Sequence, residues 1–222
     1  MKKRIGLIYA TLNSVQPILD AFQEHAPEAV TLNFMDEELI TDLNRLGKVT
    51  PRMLRRLIHL VEKAEESGVD GILLTCSCFT PYVPIVQKFF DTPIQSADYS
   101  MLELAVEKGN RIAVIATVEK AGPTTAQLIQ EIADERKKEI EIQIEVMTEA
   151  FSALQNGYGE KHDEMIQQKI REVSTVNDVV VLAQFSMARA LIGLGENTKP
   201  VLTSPEVSVK SMMSRLSQQD GE

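Results

Sequence analysis

RIGLI, residues 4–8, returns as RIAVI at residues 111–115. Two further pairs keep the same offset of 107. GVDGILL from Gly68 matches TVNDVVV from Thr175, and TPIQS from Thr92 matches KPVLT from Lys199. Apolar strands resemble one another, so a single match says little. Three matches at one spacing make the chain two copies of one unit, each about half of its length.

The pattern between these anchors is that of an α/β unit. Apolar runs at Ile5–Ala10, Val30–Phe34, Gly71–Leu74 and Pro93–Gln95 read as strands. Thr50 stands as a helix cap before Pro51, and Met53, Leu54, Leu57, Ile58 and Val61 keep a helical period until Gly68 ends it. The second half repeats the order. Strands are expected at Ile112–Ala116, Ile140–Met147, Val179–Leu182 and Val201–Thr203, with helices near 125–137, 160–173 and 205–216. In DERKKEIEIQIE, from Asp134, a helix end gives way to an edge strand with Ile140, Ile142 and Ile144 on one buried face.

Alternating strands and helices imply parallel sheets with right-handed crossovers. The expected fold is therefore α/β: two similar Rossmann-like lobes with parallel sheets, related by an internal pseudo-twofold duplication. Lobe one takes residues 1–97 and, as a C-terminal helix, 205–222; lobe two takes 98–204.

The bulk numbers narrow the partners. The 222 residues are 44% hydrophobic, enough for such cores, and carry a net charge of -9. That charge is repelled by nucleic-acid phosphates and anionic membranes, so a small molecule is the expected partner. No segment approaches the ~20 apolar residues that span a bilayer. The apolar part of the start, Ile5–Ala10, is shorter than the ~7–15 residues of a signal segment and reads as the first strand. Two cysteines without an export signal suit a reducing cytoplasm.

Ligands of such sheets bind outside the carboxyl ends of the strands, which makes the cleft between the lobes the expected site. Four segments leave their strands there: ATLNS from Ala10, TCSCFT from Thr75, ATVEK from Ala116 and LAQFS from Leu182. They supply Thr11, Asn13, Thr75, Ser77, Thr80, Thr117, Gln184 and Ser186. Neutral donors beside helix starts suit a carboxylate or other small oxyanion, although the same residues also cap helices and close turns. Cys76 stands just past a strand end and before a helix start, where backbone N–H groups would favour its thiolate. Cys78 reads as inert packing. A disulfide between them would strain the bridge geometry. Cys-x-Cys alone is no metal signature, and the three histidines, His25, His59 and His162, are scattered. His162, between Lys161 and Asp163, reads as a surface residue of its helix.

An Ala-Thr turn after the first strand of each half and a cysteine after GILLT resemble the aspartate/glutamate/hydantoin racemase superfamily. IGLIYATLNSVQPI, DEELITDLNRLGKVTPRM, VLAQFSMARAL and VLTSPEVSV carry the resemblance over nearly the whole chain. It implies an isomerase without cofactor or metal, a small carboxylate or amino acid as substrate, and a homodimer. Cys76 would be the proton-transferring acid/base or the nucleophile, with Thr11, Asn13, Thr75, Ser77, Thr117, Gln184 and Ser186 around the substrate. Racemases of this family place one cysteine in each lobe, so that protons exchange on both faces of the α-carbon. Here the pattern breaks. The offset of 107 sets Ala183 against Cys76, the motif sets Gln184 there, and neither is a thiol. The readings left open are a racemase or isomerase built on Cys76, a one-cysteine decarboxylase of a malonate-like acid, a racemase whose second base is not a cysteine, with His162 the candidate by chemistry, and a small-anion-binding protein without catalysis.

Overall fold

The computed structural model describes residues 2–196 and 199–219; of the expected lobes, residues 1, 197, 198 and 220–222 lie outside the described residues. The chain forms two compact units, Met1–Tyr99 with Pro205–Glu222, and Ser100–Ser204.

The first unit runs β1 (Arg4–Tyr9), α1 (Val15–His25), β2 (Val30–Met35), α2 (Glu38–Leu46), α3 (Pro51–Glu66), β3 (Gly71–Leu74), α4 (Val83–Gln87) and β4 (Ile94–Ser96). The strands form one parallel sheet in the order β2-β1-β3-β4. All four residues of β3 are buried, as expected of a strand covered on both faces. Helix α3 begins as its sequence dictates. Thr50 Oγ1 accepts the Met53 N–H at 3.3 Å, Pro51 needs no donor at the first position, and Met53, Leu57, Val61 and Ala64 are buried on one stripe. Gly68 follows the helix with φ +70, a conformation that only glycine takes without cost.

The second unit runs α5 (Tyr99–Lys108), β5 (Arg111–Ala116), α6 (Ala121–Glu135), β6 (Glu141–Val146), α7 (Thr148–Gln155), α8 (Gly159–Val173), β7 (Val179–Leu182) and β8 (Val201–Thr203). Its sheet is parallel, in the order β6-β5-β7-β8. The α/β reading with two parallel sheets holds, and the two orders are the same order twice. The last helix, α9 (Ser204–Gln219), packs in the first unit, where a Cβ on Gly71 of β3 would stand 2.8 Å from Met212 Sδ.

The register corrects the repeat by one residue. The offset is 107 between β1 and β5, but 108 between β3 and β7, because Ile5 pairs with Gly71 while Ile112 pairs with Val179. Asp70 therefore corresponds to Asp178, not to Asn177. Each aspartate holds a strand start in the same way: Arg4 N–H donates to Asp70 Oδ2 at 2.6 Å, and Arg111 N–H to Asp178 Oδ2 at 2.9 Å. One extra residue lies between β5 and β7, and the offset returns to 107 at β8.

The expected buried face of β6 is only partly present. Ile142 is half-buried, but Ile144 is 41% exposed. The strand is an edge, and Gly122 of α6 comes close to it: a Cβ there would stand 2.9 Å from Ile144 Cγ2.

Candidate functional site

In the order β2-β1-β3-β4 the chain reverses direction of growth between β1 and β3, and in the second unit between β5 and β7. Such a switch point leaves a crevice at the carboxyl ends, since the connections depart to opposite faces. The segments after β1 and β3, and after β5 and β7, are the four singled out in the sequence.

In the first unit, Thr11 caps the 3-10 turn Leu12–Ser14, its hydroxyl accepting the Asn13 N–H at 3.3 Å. Asn13 itself is exposed. Thr75 is buried and its hydroxyl donates to Ile8 O at 3.0 Å, so it ties β3 to β1 rather than facing a ligand. Thr80 and Ser96 are buried and share a hydroxyl hydrogen bond of 2.5 Å. Cys76 and Cys78 are free thiols, both half-buried, and Ser77 between them is half-buried too.

Cys76 caps the 3-10 turn Ser77–Tyr82 rather than an α-helix. That changes the expected electrostatics. A turn of this length has almost no macrodipole to stabilise a thiolate. The hydrogen bond that Cys76 shares with Cys78, and then burial, push the Cys76 thiol well above the ordinary range. The same hydrogen bond pulls the Cys78 thiol down against the opposing effect of burial. A 3-10 turn thus stands where a helix start was expected after Cys76, and Cys78 packs half-buried against the core of the first unit. Asp98, buried after β4, raises both thiols through its charge, and the sequence offered no signal for it beyond its place behind a strand. Cys76 also borders an apolar cavity of about 10 Å³ with Ile8, Leu39, Leu57 and Phe79. That is small beside the ~300–1,000 Å³ of ligand pockets, so it desolvates the sulfur more than it offers a chamber.

In the second unit the corrected register puts Gln184 in the place of Cys76. Thr75 N–H donates to Ile8 O at 3.0 Å, and Ala183 N–H to Ile115 O at 2.9 Å; the next residue caps a 3-10 turn in each case. Gln184 and Thr117 close on each other. Gln184 Oε1 accepts the Thr117 N–H at 2.6 Å, and Gln184 Nε2 donates to Thr117 Oγ1 at 3.0 Å. Thr117 is buried and Gln184 half-buried. Ser186 is half-buried two residues on. Glu119 and Lys120 are exposed.

His162 departs most from its expected place. It is fully buried on α8, on the same stripe as Ile166 and Ile170. Its Nδ1 lies 2.8 Å from Asp163 Oδ1, and Arg189 Nε donates to both Asp163 oxygens at 2.9 Å. With Nδ1–H donating to the carboxylate, Nε2 carries the lone pair, and it is buried without a partner among the described residues. Of the two charged neighbours that suggested a surface position, Lys161 is exposed, whereas Asp163 bonds the ring. Arg56 of α3 was also missed. It forms a two-point pair with Asp36 at 2.7 and 2.5 Å, so its charge is already matched.

Among the described residues no group of three or more His, Cys, Asp or Glu is placed to hold a metal ion. No helix among them is long and apolar enough to cross a membrane.

The Asp/Glu/hydantoin racemase family model matches residues 5–212. Solved structures match over nearly the whole chain. PH1733, an aspartate racemase homologue from Pyrococcus horikoshii OT3, is 18% identical, with 98% of this chain and 100% of that one covered and a TM-score of 0.73. Allantoin racemase from Klebsiella pneumoniae is 17% identical, with 98% and 89% covered and a TM-score of 0.74. Glutamate racemase from Francisella tularensis, in complex with D-glutamate, is 13% identical, with 99% and 82% covered and a TM-score of 0.69. No curated protein matches by sequence.

Proposed function

The chain belongs to the Asp/Glu/hydantoin racemase family, and from that premise we propose that it moves a proton at the α-carbon of a small carboxylate or amino acid, without a cofactor, through Cys76. The observation that carries this reading is the equivalence of Cys76 and Gln184. Each follows the second central strand of its sheet and caps a 3-10 turn, one as a thiol and the other as an amide. A thiol that holds its proton is suited to deliver it to a carbanion. An amide cannot take a proton, but it can donate a hydrogen bond to a carboxylate or enolate oxygen. Thr11, Asn13, Ser77, Thr117 and Ser186 are the further donors proposed for the substrate, and Thr75 supports the site through its bond to Ile8.

The test is a chiral assay of aspartate, glutamate, allantoin and simple malonates with wild type and Cys76→Ser. Cys76→Ser is expected to keep the fold and lose about 10²-fold or more in turnover, the scale of a positioned acid–base group. Full activity in Cys76→Ser would end the thiol mechanism. Loss of a carboxyl group from a malonate, with no enantiomer conversion, would select the decarboxylase instead.

A second reading has an observation of its own. The buried, Asp163-oriented His162 supplies the second unit with a proton acceptor that is not a cysteine. On that reading the enzyme is a full racemase. His162→Asn then abolishes proton exchange from one enantiomer and spares the other, whereas equal exchange from both would reject the role.

A further inference from the structure

The cavity beside Cys76 is too small for a ligand, but the second unit holds a large one. It measures about 750 Å³, within the ~300–1,000 Å³ of ligand sites. It lies where α7 gives way to α8, and its walls include Leu154, Tyr158, Glu160, Lys161, Glu164 and Arg189. None of these belongs to the four segments that leave the strand ends. Arg189 comes from the 3-10 turn Phe185–Leu191, which Gln184 caps. Its guanidinium is fixed in place. Nε donates to both oxygens of Asp163 at 2.9 Å, and Asp163 is itself bonded to the buried His162. The other edge of the guanidinium lies across the first residue of α8, where a Cβ on Gly159 would stand 2.5 Å from Arg189 Nη2 and 3.0 Å from Nη1. Asp163 takes only the Nε hydrogen, so the Nη hydrogens form a fork of the kind that grips a carboxylate. An arginine already held in this way gives up little side-chain freedom on binding.

The charges decide which ligand fits. The walls carry two cations, Lys161 and Arg189, and two anions, Glu160 and Glu164. Among the described residues, Glu160, Lys161 and Glu164 enter no ion pair, so their charges are not matched within the unit. A dicarboxylate would face both glutamates, and a simple amine would face both cations. A molecule with one carboxylate and one ammonium meets both signs. Tyr158, 66% exposed, and Leu154 add an aromatic and an aliphatic wall. We propose that this cavity binds a zwitterionic α-amino acid with a large apolar side chain. Its carboxylate sits on the Arg189 fork, its ammonium against Glu160 and Glu164, and its side chain on Tyr158. Neither thiol takes part, so the site stands or falls independently of the proposed function.

Backbone amide shifts of the isotope-labelled full chain, titrated with L-phenylalanine, test this. Saturable shifts are expected at Tyr158, Gly159, Glu160 and Lys161, with half-saturation at about 10 mM or below. Hydrocinnamate lacks the ammonium and phenethylamine lacks the carboxylate; each is expected to bind at least about tenfold more weakly. The double variant Glu160→Gln, Glu164→Gln changes two exposed carboxylates and is expected to keep the wild-type melting temperature. It should weaken L-phenylalanine by about tenfold and leave hydrocinnamate as it was, a difference that damage to the fold would not produce. Arg189→Lys keeps the charge but not the fork, and is expected to weaken L-phenylalanine and hydrocinnamate alike. Three results overturn the proposal: no shift of these amides at about 10 mM, shifts confined to residues 75–80 and 184–186, or hydrocinnamate bound as tightly as L-phenylalanine. An enzyme inactive on every acid tested that still shows the expected shifts would keep this site and remove the proposed function instead.

Discussion

A single residue type at a strand end distinguishes the two units. The position after Thr75 holds a thiol, and the position after Ala183 an amide that closes on Thr117. Gln184→Leu would leave the buried Thr117 N–H without its acceptor. We expect a loss of about 1–3 kcal/mol, read as a lower urea midpoint with unchanged slope. Thr117→Val removes only the bond to Gln184 Nε2 and should cost less, about 1 kcal/mol. At this scale the sequence was legible where position alone decided the matter. Cys76, Thr117 and Gln184 could all be found by following strands to their ends. It was not legible where a side chain's partner decided. The spacing of Cys76 and Cys78 does not reveal that the charge of Asp98 acts on both thiols. The charges beside His162 suggested solvent, because nothing in the sequence shows that Asp163 turns inward to Arg189.

The elements were more legible than their contacts. β3, β7 and β8 stand where their apolar runs are, and the Thr50–Pro51 start of α3 is a cap that any reader of the sequence can see. The short connecting pieces were not legible. The 3-10 turns after β3 and β7 carry no helical period, and it is their shortness that removes the dipole expected to activate Cys76. The one-residue shift of register was hidden as well, because β7 is a run of valines that slides without penalty in a sequence comparison. Asp70 and Asp178 fix it in the folded chain. The Asp178 carboxyl is held below its ordinary range, first by the Arg111 backbone N–H and also by the Asn110 N–H. A folded-state pKa below the unfolded one stabilises the fold above the unfolded value and fades as pH falls through the folded value. The gap in Tm between wild type and Asp178→Asn should therefore be widest above about pH 5 and narrow below about pH 4. A gap that does not change with pH would mean that the carboxylate's charge plays no part in starting β5.

For the whole molecule, the repeat and the family resemblance gave the architecture and the class of chemistry, because both depend on patterns spread over the chain. They could not give the substrate, which depends on a few side chains whose donors are shared with the backbone. The central claim is that the family's proton chemistry runs here on one thiol, Cys76. The most direct measurement is solvent deuterium incorporation at the α-carbon, by NMR in D2O, from each enantiomer of aspartate and glutamate and from allantoin, with wild type and Cys76→Ser at matched thermal stability. The account predicts exchange by wild type on at least one of these compounds without added cofactor, reduced about 10²-fold in Cys76→Ser. Exchange by Cys76→Ser at the wild-type rate, or none by wild type on any of them, would contradict it.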